Sequence, residues 1–394
     1  MVGVKKPRIC YVNPPVLLKR PIAEIIGRLS QEGYETSLLV PKKLFKKIDS
    51  SLHHSKLAEN STVYAYSIIN PPFLSSEQPI PLTPMFLINA IKAMKRNDII
   101  HMWVPYYLTS LKIIWLKRVF FPKKKLILTM DTMPGYSFSM GGFWDRMFKL
   151  YNKMFGWLLF GTPEIITLYG RSLIPYAVKA GMPKEKLQVI PTGIKSKQVS
   201  DRERQKSRDA VREDLEGLGI KPSTKIVLFI GLIIPRKGIA KIIRMAGMLR
   251  KKDVVFLLAG DGSKKKEYEE QVRQLKLDKK VIFLGWRTDT PRLYQASDML
   301  VLPAEGEGLP GVVMEAMSFG VPCIASNIPC IPDLINDGKS GYLCDKDDAE
   351  EFASRIRELL DDEAKRKKMG KEALRKIKGF GWANAIIRYK ELYK

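Results

Sequence analysis

Short β-branched runs alternate with amphipathic stretches along this chain, and the alternation occurs twice, with a break between the two series. In the first series the runs are Arg8–Val12, Thr36–Val40, Val63–Ile69, Asp98–Val104, Lys125–Met130, Glu164–Leu168 and Leu187–Ile190. Between them lie helix-compatible stretches: Arg20–Glu32, stopped by Gly33, then segments near 84–96, 107–121, 143–160 and 170–180. This is the rhythm of a parallel sheet with helical crossovers. The stretch Ser196–Lys221 interrupts it with dense mixed charge and almost no large apolar residue before Leu215, and reads as a partly helical interdomain connection. A second series follows at Ile226–Ile230, Val254–Leu258, Val281–Leu284, Met299–Leu302, Cys323–Ala325 and Tyr342–Cys344, closing with a helix at Asp348–Leu360. The expected fold is α/β, with two doubly wound domains facing a central cleft at the carboxyl ends of their strands, where ligands of such sheets bind.

A chain of 394 residues exceeds what one hydrophobic core usually serves, and its apolar content of 45% supplies two. The net charge of +26 is uneven: residues 1–195 carry 28 Lys and Arg against 11 Asp and Glu, so the first half holds most of the excess. Such charge reports on partners, and nucleic acid, an anionic membrane surface or a phosphate-bearing substrate all fit its sign. The four cysteines, Cys10, Cys323, Cys330 and Cys344, form no C-x-x-C pair, and with three histidines, two of them adjacent at His53 and His54, a zinc site is not expected. Reduced, buried thiols in a cytosolic protein are the default reading of these cysteines. The apolar run Ile9–Val12 is too short for the core of a signal peptide, and no run approaches the length of a spanning helix.

The segment most informative about chemistry is Val301–Ser326, VLPAEGEGLPGVVMEAMSFGVPCIAS. Its strand ends at Leu302-Pro303, a loop carries Glu305, Glu307 and Gly308, Pro310 suits the first helical position, and Gly320 with Pro322 ends the helix. Glu307 then sits on the loop at the sheet's carboxyl edge and Glu315 eight residues on, within the helix. The free amides around Gly308 to Val312, at Leu309 and on either side of Pro310, would point into the same space, and a helix N-terminus favours a bound phosphate. An alternative is open: Glu305 and Glu307 complement the helix dipole and Glu315 is a solvated helix residue. A diphosphate leaving group needs fixed positive charge, and Gly231-Leu-Ile-Ile-Pro-Arg-Lys-Gly238 offers it through Arg236 and Lys237 on the loop after the first strand of the second series. An ordinary basic turn is the competing reading there.

Taken in order, VIPTGI (189–194), VLFIGLIIPRKG (227–238), LLAGDG (257–262), VIFLGW (281–286), LYQASDMLVLPA (293–304), EGLPGVVMEAM (307–317) and GVPCIAS (320–326) resemble the retaining nucleotide-sugar glycosyltransferases of family 4, the glycosyl transferases group 1, which have the GT-B fold of two Rossmann-like domains. PDLINDGKSGYLC (332–344) and the terminal FGWANAIIRYKELYK also fit. The resemblance implies an acceptor-binding domain over 1–195, a nucleotide-sugar-binding domain over 196–376, and a C-terminal helix, 377–394, packing back on the first. It assigns the paired glutamates to Glu307, at the donor hexose, and Glu315, at the ribose. Lys237 takes the place of the family's phosphate-loop lysine, and Gly231, Asp261, Gly308, Leu309 and Pro310 fall among the substrate-binding positions. Leu232 stands where the family usually has an arginine, so Arg236 is the candidate substitute. The first domain departs further: Asn13-Pro14-Pro15 replaces a Gly-rich loop, and Met130 occupies the position of a frequent histidine, leaving Asp131 as a candidate to orient acceptor or donor sugar, or as a turn aspartate.

The resemblance also implies metal independence, with the nucleotide-sugar as substrate and no cofactor. Asp345-Lys-Asp347 looks like a metal-binding DxD, but it precedes the helix at Asp348–Leu360 and reads as a cap. Two apolar-basic stretches bear on membranes. Leu108–Phe121, followed by Pro122 and Lys123–Lys125, reads as a packed crossover helix with a solvated charge run. In Phe143–Phe160, Trp144, Met147, Phe148, Tyr151, Met154, Phe155 and Leu158 recur at helical spacing with Arg146, Lys149 and Lys153 between them, which suits an interfacial helix as well as a core helix. The expectation is a hexosyltransferase that retains anomeric configuration, cytoplasmic and peripheral at the inner face of the membrane, with a lipid or lipid-linked acceptor. An epimerase or phosphorylase of the same fold has no distinctive residue here. A polyanion-binding protein has only the charge in its favour, with no nucleic-acid motif, and a non-catalytic relative is suggested by Leu232 and Met130.

Overall fold

The computed structural model describes residues 6–15, 20–42, 61–69, 80–81, 84–195, 200–217 and 220–394; His53 and His54 lie outside them. Among the described residues the first series forms β1 (Ile9–Val12), β2 (Thr36–Pro41), β3 (Ser61–Tyr66), β4 (Ile99–Trp103), β5 (Lys125–Met130), β6 (Ile165–Leu168) and β7 (Leu187–Val189), and the second forms β8 (Lys225–Ile230), β9 (Val254–Ala259), β10 (Val281–Gly285), β11 (Met299–Leu302), β12 (Cys323–Ser326) and β13 (Gly341–Cys344). The sheets run β3-β2-β1-β4-β5-β6-β7 and β10-β9-β8-β11-β12-β13, with every neighbouring pair parallel. Parallel neighbours cannot be joined by a hairpin, so the chain must cross over and helices cover both faces. That is why β1 (ICYV) and β9 (VVFLLA) are apolar and buried along their whole length. The architecture is α/β with two doubly wound sheets.

The chain divides into two compact units. One comprises Met1–Tyr136, Met140–Gly193 and Ala383–Lys394; the other comprises Ser137–Ser139 and Ile194–Trp382. In the first, the terminal helix Trp382–Leu392 and the residue after it contribute Tyr389 and Tyr393 to a buried cluster with Tyr11 on β1 and His101 on β4. Tyr393 Oη lies 2.6 Å from His101 Nδ1 and 3.1 Å from Tyr11 Oη, while His101 Nε2 lies 2.7 Å from Thr129 Oγ1. Burial disfavours the imidazolium and pushes the pKa of His101 down to about 3.

In the second unit the mixed-charge segment after residue 196 is more than a connector, because its helix Asp201–Glu216 is fastened to the unit. Arg208 donates to Asp298 Oδ1 at 2.8 Å and Ser207 to Gln295 Oε1 at 2.8 Å. Asp298, buried just ahead of β11, also accepts the Ile226 amide and lies 3.6 Å from Arg366. A basic cavity of about 360 Å³ adjoins this carboxylate at the amino ends of β8 and β11, and through Arg208 and Arg366 the carboxylate anchors two helices.

Smaller departures from expectation have local causes. The strand expected over Val63–Ile69 ends at Tyr66, and Ile69 instead bridges antiparallel to Ile80. The helix expected near 170–180 opens with a 3₁₀ turn, Arg171–Leu173, before Ile174–Lys179. The cap of the helix Ala349–Asp361 is Asp348, whose side chain accepts the Glu351 amide, and not the Asp345–Asp347 pair. Asp345 accepts the Asp347 amide at 2.9 Å and Asp347 pairs with Lys346, so both close the preceding turn. All four cysteines are buried, and none of them is in a disulfide.

Candidate functional site

In each sheet the strand order reverses beside the first strand, between β1 and β4 in one and between β8 and β11 in the other. The loops leaving the carboxyl ends at such a switch point diverge to opposite faces and leave room for a ligand. In the second unit those loops are 231–238, after β8, and 303–310, after β11, the two segments that carry the sequence's cationic and acidic candidates.

Backbone packing holds the first loop close to its neighbours. Gly238 has φ +75°, and a Cβ there would lie 2.1 Å from the Pro303 carbonyl oxygen; a Cβ on Gly260 would lie 1.8 Å from the Gly231 oxygen. Only glycine fits either position. The Ile233 amide donates to the Asp261 carbonyl at 2.9 Å, so the loop after β9 supports the loop after β8. Pro235–Lys237 then form a 3₁₀ turn that presents Arg236 and Lys237 before the helix Ile239–Met248.

Lys237 and Glu307 form an ion pair, Nζ to Oε1, with side chains 14% and 9% exposed. Arg236 donates from Nη1 to the Gly306 carbonyl and accepts the Glu305 amide on its own carbonyl at 2.9 Å. The two loops are thereby tied through both main chain and side chain, and Lys237 keeps two further N–H donors for an anion. Glu305 is exposed and lies 3.6 Å from Lys241 on the adjoining helix. Past Gly308 and buried Leu309, the helix Gly311–Ser318 has Pro310 as its N-cap residue and so starts one residue later than the sequence suggests, and no side chain caps it. Its first amides, four residues past Glu307 in the chain, are therefore left without a side-chain cap.

Glu315 is half-buried on that helix and accepts a hydrogen bond from Tyr294 Oη at 3.0 Å. Tyr294, almost fully buried on the helix Thr290–Ala296, stacks on Phe319 with ring centroids 5.6 Å apart. The pairing makes Glu315 a positioned acceptor rather than a loose surface group. Sequence reasoning passed over Tyr294, although it lies in the quoted segment LYQASDMLVLPA; a tyrosine on the buried face of a helix carries no local mark of its partner.

The remaining candidates are less gathered. Gly231 lies at the loop's start, its amide bonded to the Ala259 carbonyl. Asp261 is exposed and its carboxylate takes the Gly262 amide at 2.8 Å. Leu232 is 49% exposed, so an arginine there would meet solvent and not the core. Asp131 belongs to the first unit, just past β5, where it accepts from Thr132 Oγ1 at 3.4 Å, and Met130 is buried.

The fold and these loops define a doubly wound protein of the GT-B class. HepE of Anabaena, solved in complex with UDP, superposes with a TM-score of 0.77 over 98% of this chain and 99% of that one at 18% identity. The sucrose-phosphate synthase of Thermosynechococcus elongatus gives 0.73 at 19% identity, over 98% of each. Residues 211–376 match the family model of the glycosyl transferases group 1, and the second unit contains a domain of that family. The N-acetyl-alpha-D-glucosaminyl L-malate synthase of Bacillus anthracis is 28% identical over 232 residues, 58% of this chain and 59% of that protein. A UDP-Gal:alpha-D-GlcNAc-diphosphoundecaprenol alpha-1,3-galactosyltransferase of Escherichia coli is 30% identical over 216 residues, 53% and 54% of the two. The matches thus span about half the length of these curated relatives.

Proposed function

We propose that the protein transfers a hexose from a nucleotide-diphosphate sugar to an acceptor, with retention of anomeric configuration. The observation that carries this reading is the ion pair of Lys237 with Glu307, on the loop that leads into an uncapped helix N-terminus at the switch point of the second sheet. When the bond from the anomeric carbon to the diphosphate breaks, negative charge grows on the departing oxygen. Lys237, Arg236 and the amides of Gly311 and Val312 meet that charge without a divalent cation, because they are fixed before the reaction. Glu307 holds Lys237 in place and accepts from a hexose hydroxyl; Glu315, oriented by Tyr294, accepts from the ribose. Gly231, Gly308, Leu309, Pro310 and Asp261 shape the donor pocket.

The first unit takes the acceptor, with Asp131 as a candidate to orient it. A lipid-linked acceptor, reached by a cytoplasmic protein lying peripherally on the membrane, suits the basic first half, and one relative is named for a diphosphoundecaprenol-linked substrate. Two supports favour a uridine donor as the first to try: HepE has been solved with UDP and with UDP-glucose.

Thermal stability measured across a panel of nucleotide-sugars tests the reading. A true donor at a hundredfold over its Kd stabilises by about 2.7 kcal/mol, which raises Tm by roughly 5–10 °C for a unit of this size. Transfer with that donor should survive EDTA and yield the same anomer that the donor carried. If no nucleotide-sugar raises Tm and none is consumed, the proposal is wrong.

A further inference from the structure

The helix Gly142–Leu159 presents two faces. Phe148, Tyr151 and Phe155 turn inward: Tyr106 meets Phe148 and Tyr151 with ring centroids 5.4 and 6.2 Å away, and Asn152 Nδ2 donates to the Tyr106 hydroxyl at 3.4 Å. Phe143, Met147, Leu150, Met154 and Trp157 point outward at spacings of four, three, four and three residues, with Phe143 68% and Trp157 62% exposed. They form one stripe along a helix about 27 Å long. Exposed Arg146, Lys149 and Lys153 flank it on one side. The apolar residues read as a single stripe in the sequence are therefore divided between a core face and a solvent face.

The preceding helix Leu108–Phe120, read as a packed crossover with a solvated charge run, is packed on one side and joins this surface on the other. Its inner residues Ile113, Ile114 and Leu116 are buried, but Trp115, Val119 and Phe120 are exposed, Phe120 to 61%. Arg118 bridges the two helices, its guanidinium 5.1 Å from the centre of the Trp157 ring. Across residues 105–163 there are nine Lys and Arg and two acidic residues, Asp131 and Asp145, and Asp145 is turned back onto the Met140 amide.

We infer that this two-helix surface is where the protein lies on an anionic lipid bilayer, with the outward aromatic and methionine side chains in the headgroup and upper acyl region and the flanking cations on lipid phosphates. A row of Phe, Trp and Met edged by Arg and Lys is the composition of a helix that lies in the interface plane. Among the described residues no helix is long and apolar enough to cross a membrane, so the contact is a surface one. A second copy of the chain fits poorly, because a two-fold pairing of this face sets its cations against one another with no carboxylate to receive them. The inference rests on the proposal that the protein works at a membrane, and it is independent of the transfer chemistry.

Cosedimentation of the full chain with phosphatidylcholine vesicles, with and without 30% phosphatidylserine, needs neither donor nor acceptor. Binding at physiological salt should be at least tenfold stronger to the anionic vesicles, and brominated acyl chains should quench tryptophan emission. The triple variant Phe143→Ser/Met147→Ser/Trp157→Ser should bind at least tenfold more weakly, and Arg146→Glu/Lys149→Glu/Lys153→Glu should lose the preference for anionic lipid, each keeping the wild-type Tm. If both variants bind as wild type does, the surface is wrongly placed although the protein is peripheral. If the wild type binds no vesicle, or sediments as a dimer that the triple variant dissolves, the inference and the membrane reading both fall. Should a variant lose its Tm, quenching of the wild type by brominated lipid decides alone: no quenching overturns the inference.

Discussion

β1 and β8 hold the same position in their sheets, each leading away from a switch point, yet their loops are built of different matter. After β8 come Gly231, Arg236, Lys237 and Gly238, a turn packed backbone to backbone against Pro303. After β1 come buried Asn13, whose side chain donates to the Pro15 carbonyl at 2.8 Å, and two prolines that offer no amide. On the neighbouring strands, β11 leads to Glu307 and an uncapped helix, while β4 leads to Val104, Pro105, Tyr106 and Tyr107. Among the described residues, one switch point carries charged, hydrogen-bonding groups, while the other carries an asparagine, prolines and tyrosines. A common topology thus supplies a place for a site, and loop chemistry decides what can occupy it.

The hardest test of that contrast is Lys237→Ala. Removing one preorganised charge from a developing oxyanion costs about 10²–10³ in kcat, so turnover with the stabilising donor should fall by that factor while vesicle binding is unchanged. Asp131→Asn, on the other unit, should act on the acceptor KM. The contrast breaks if Asp131→Asn lowers kcat more than Lys237→Ala does.

Histidine separates the units in a second way, since among the described residues His101 is the one histidine and it lies in the first unit. His101 is held near pKa 3 when folded against about 6.5 when unfolded. Below pH 6.5 the unfolded chain takes up a proton that the native state refuses, so stability present above that pH is lost as pH falls towards 3. Between pH 7 and pH 5 the loss is about 2 kcal/mol. Amide exchange at pH 5 should show it as weakened protection in β1, β4 and β5, with β8, β9 and β11 holding; an equal loss in both sheets would remove His101 as the cause.

The smallest effect is expected from Leu232→Arg. The side chain is largely exposed, so the change should leave Tm alone, and a cation near the diphosphate should tighten donor binding by about three- to tenfold. Unchanged affinity would mean that Arg236 already serves that role, and would sharpen the account of the phosphate loop.

Much of the molecule was legible without coordinates. Among the described residues thirteen strands lie where apolar runs occur, and inner strands such as β1 and β9 are the plainest, because a strand buried on both faces needs a continuous run and no partner-specific signal. The phosphate loop and the helix after Glu307 were legible for a related reason: glycine, proline and charge punctuate the chain locally, to within one residue at Pro310. Periodicity counted residues on a helix without knowing their neighbours: of the stripe read there, Phe148, Tyr151 and Phe155 are half-buried, while Trp144, Met147 and Met154 are exposed.

Local patterning was enough to read most of the strands and helices, the two parallel series and the candidates Lys237, Arg236, Glu307 and Glu315, since each depends on residues close together in the chain. Only the tertiary structure decided that Lys237 reaches Glu307, that Tyr294 holds Glu315, that His101 sits neutral between Thr129 and Tyr393, and that two helices share one apolar-basic face. Those pairings join residues brought together by crossovers, and local patterning records which face a side chain takes but not what that face will meet.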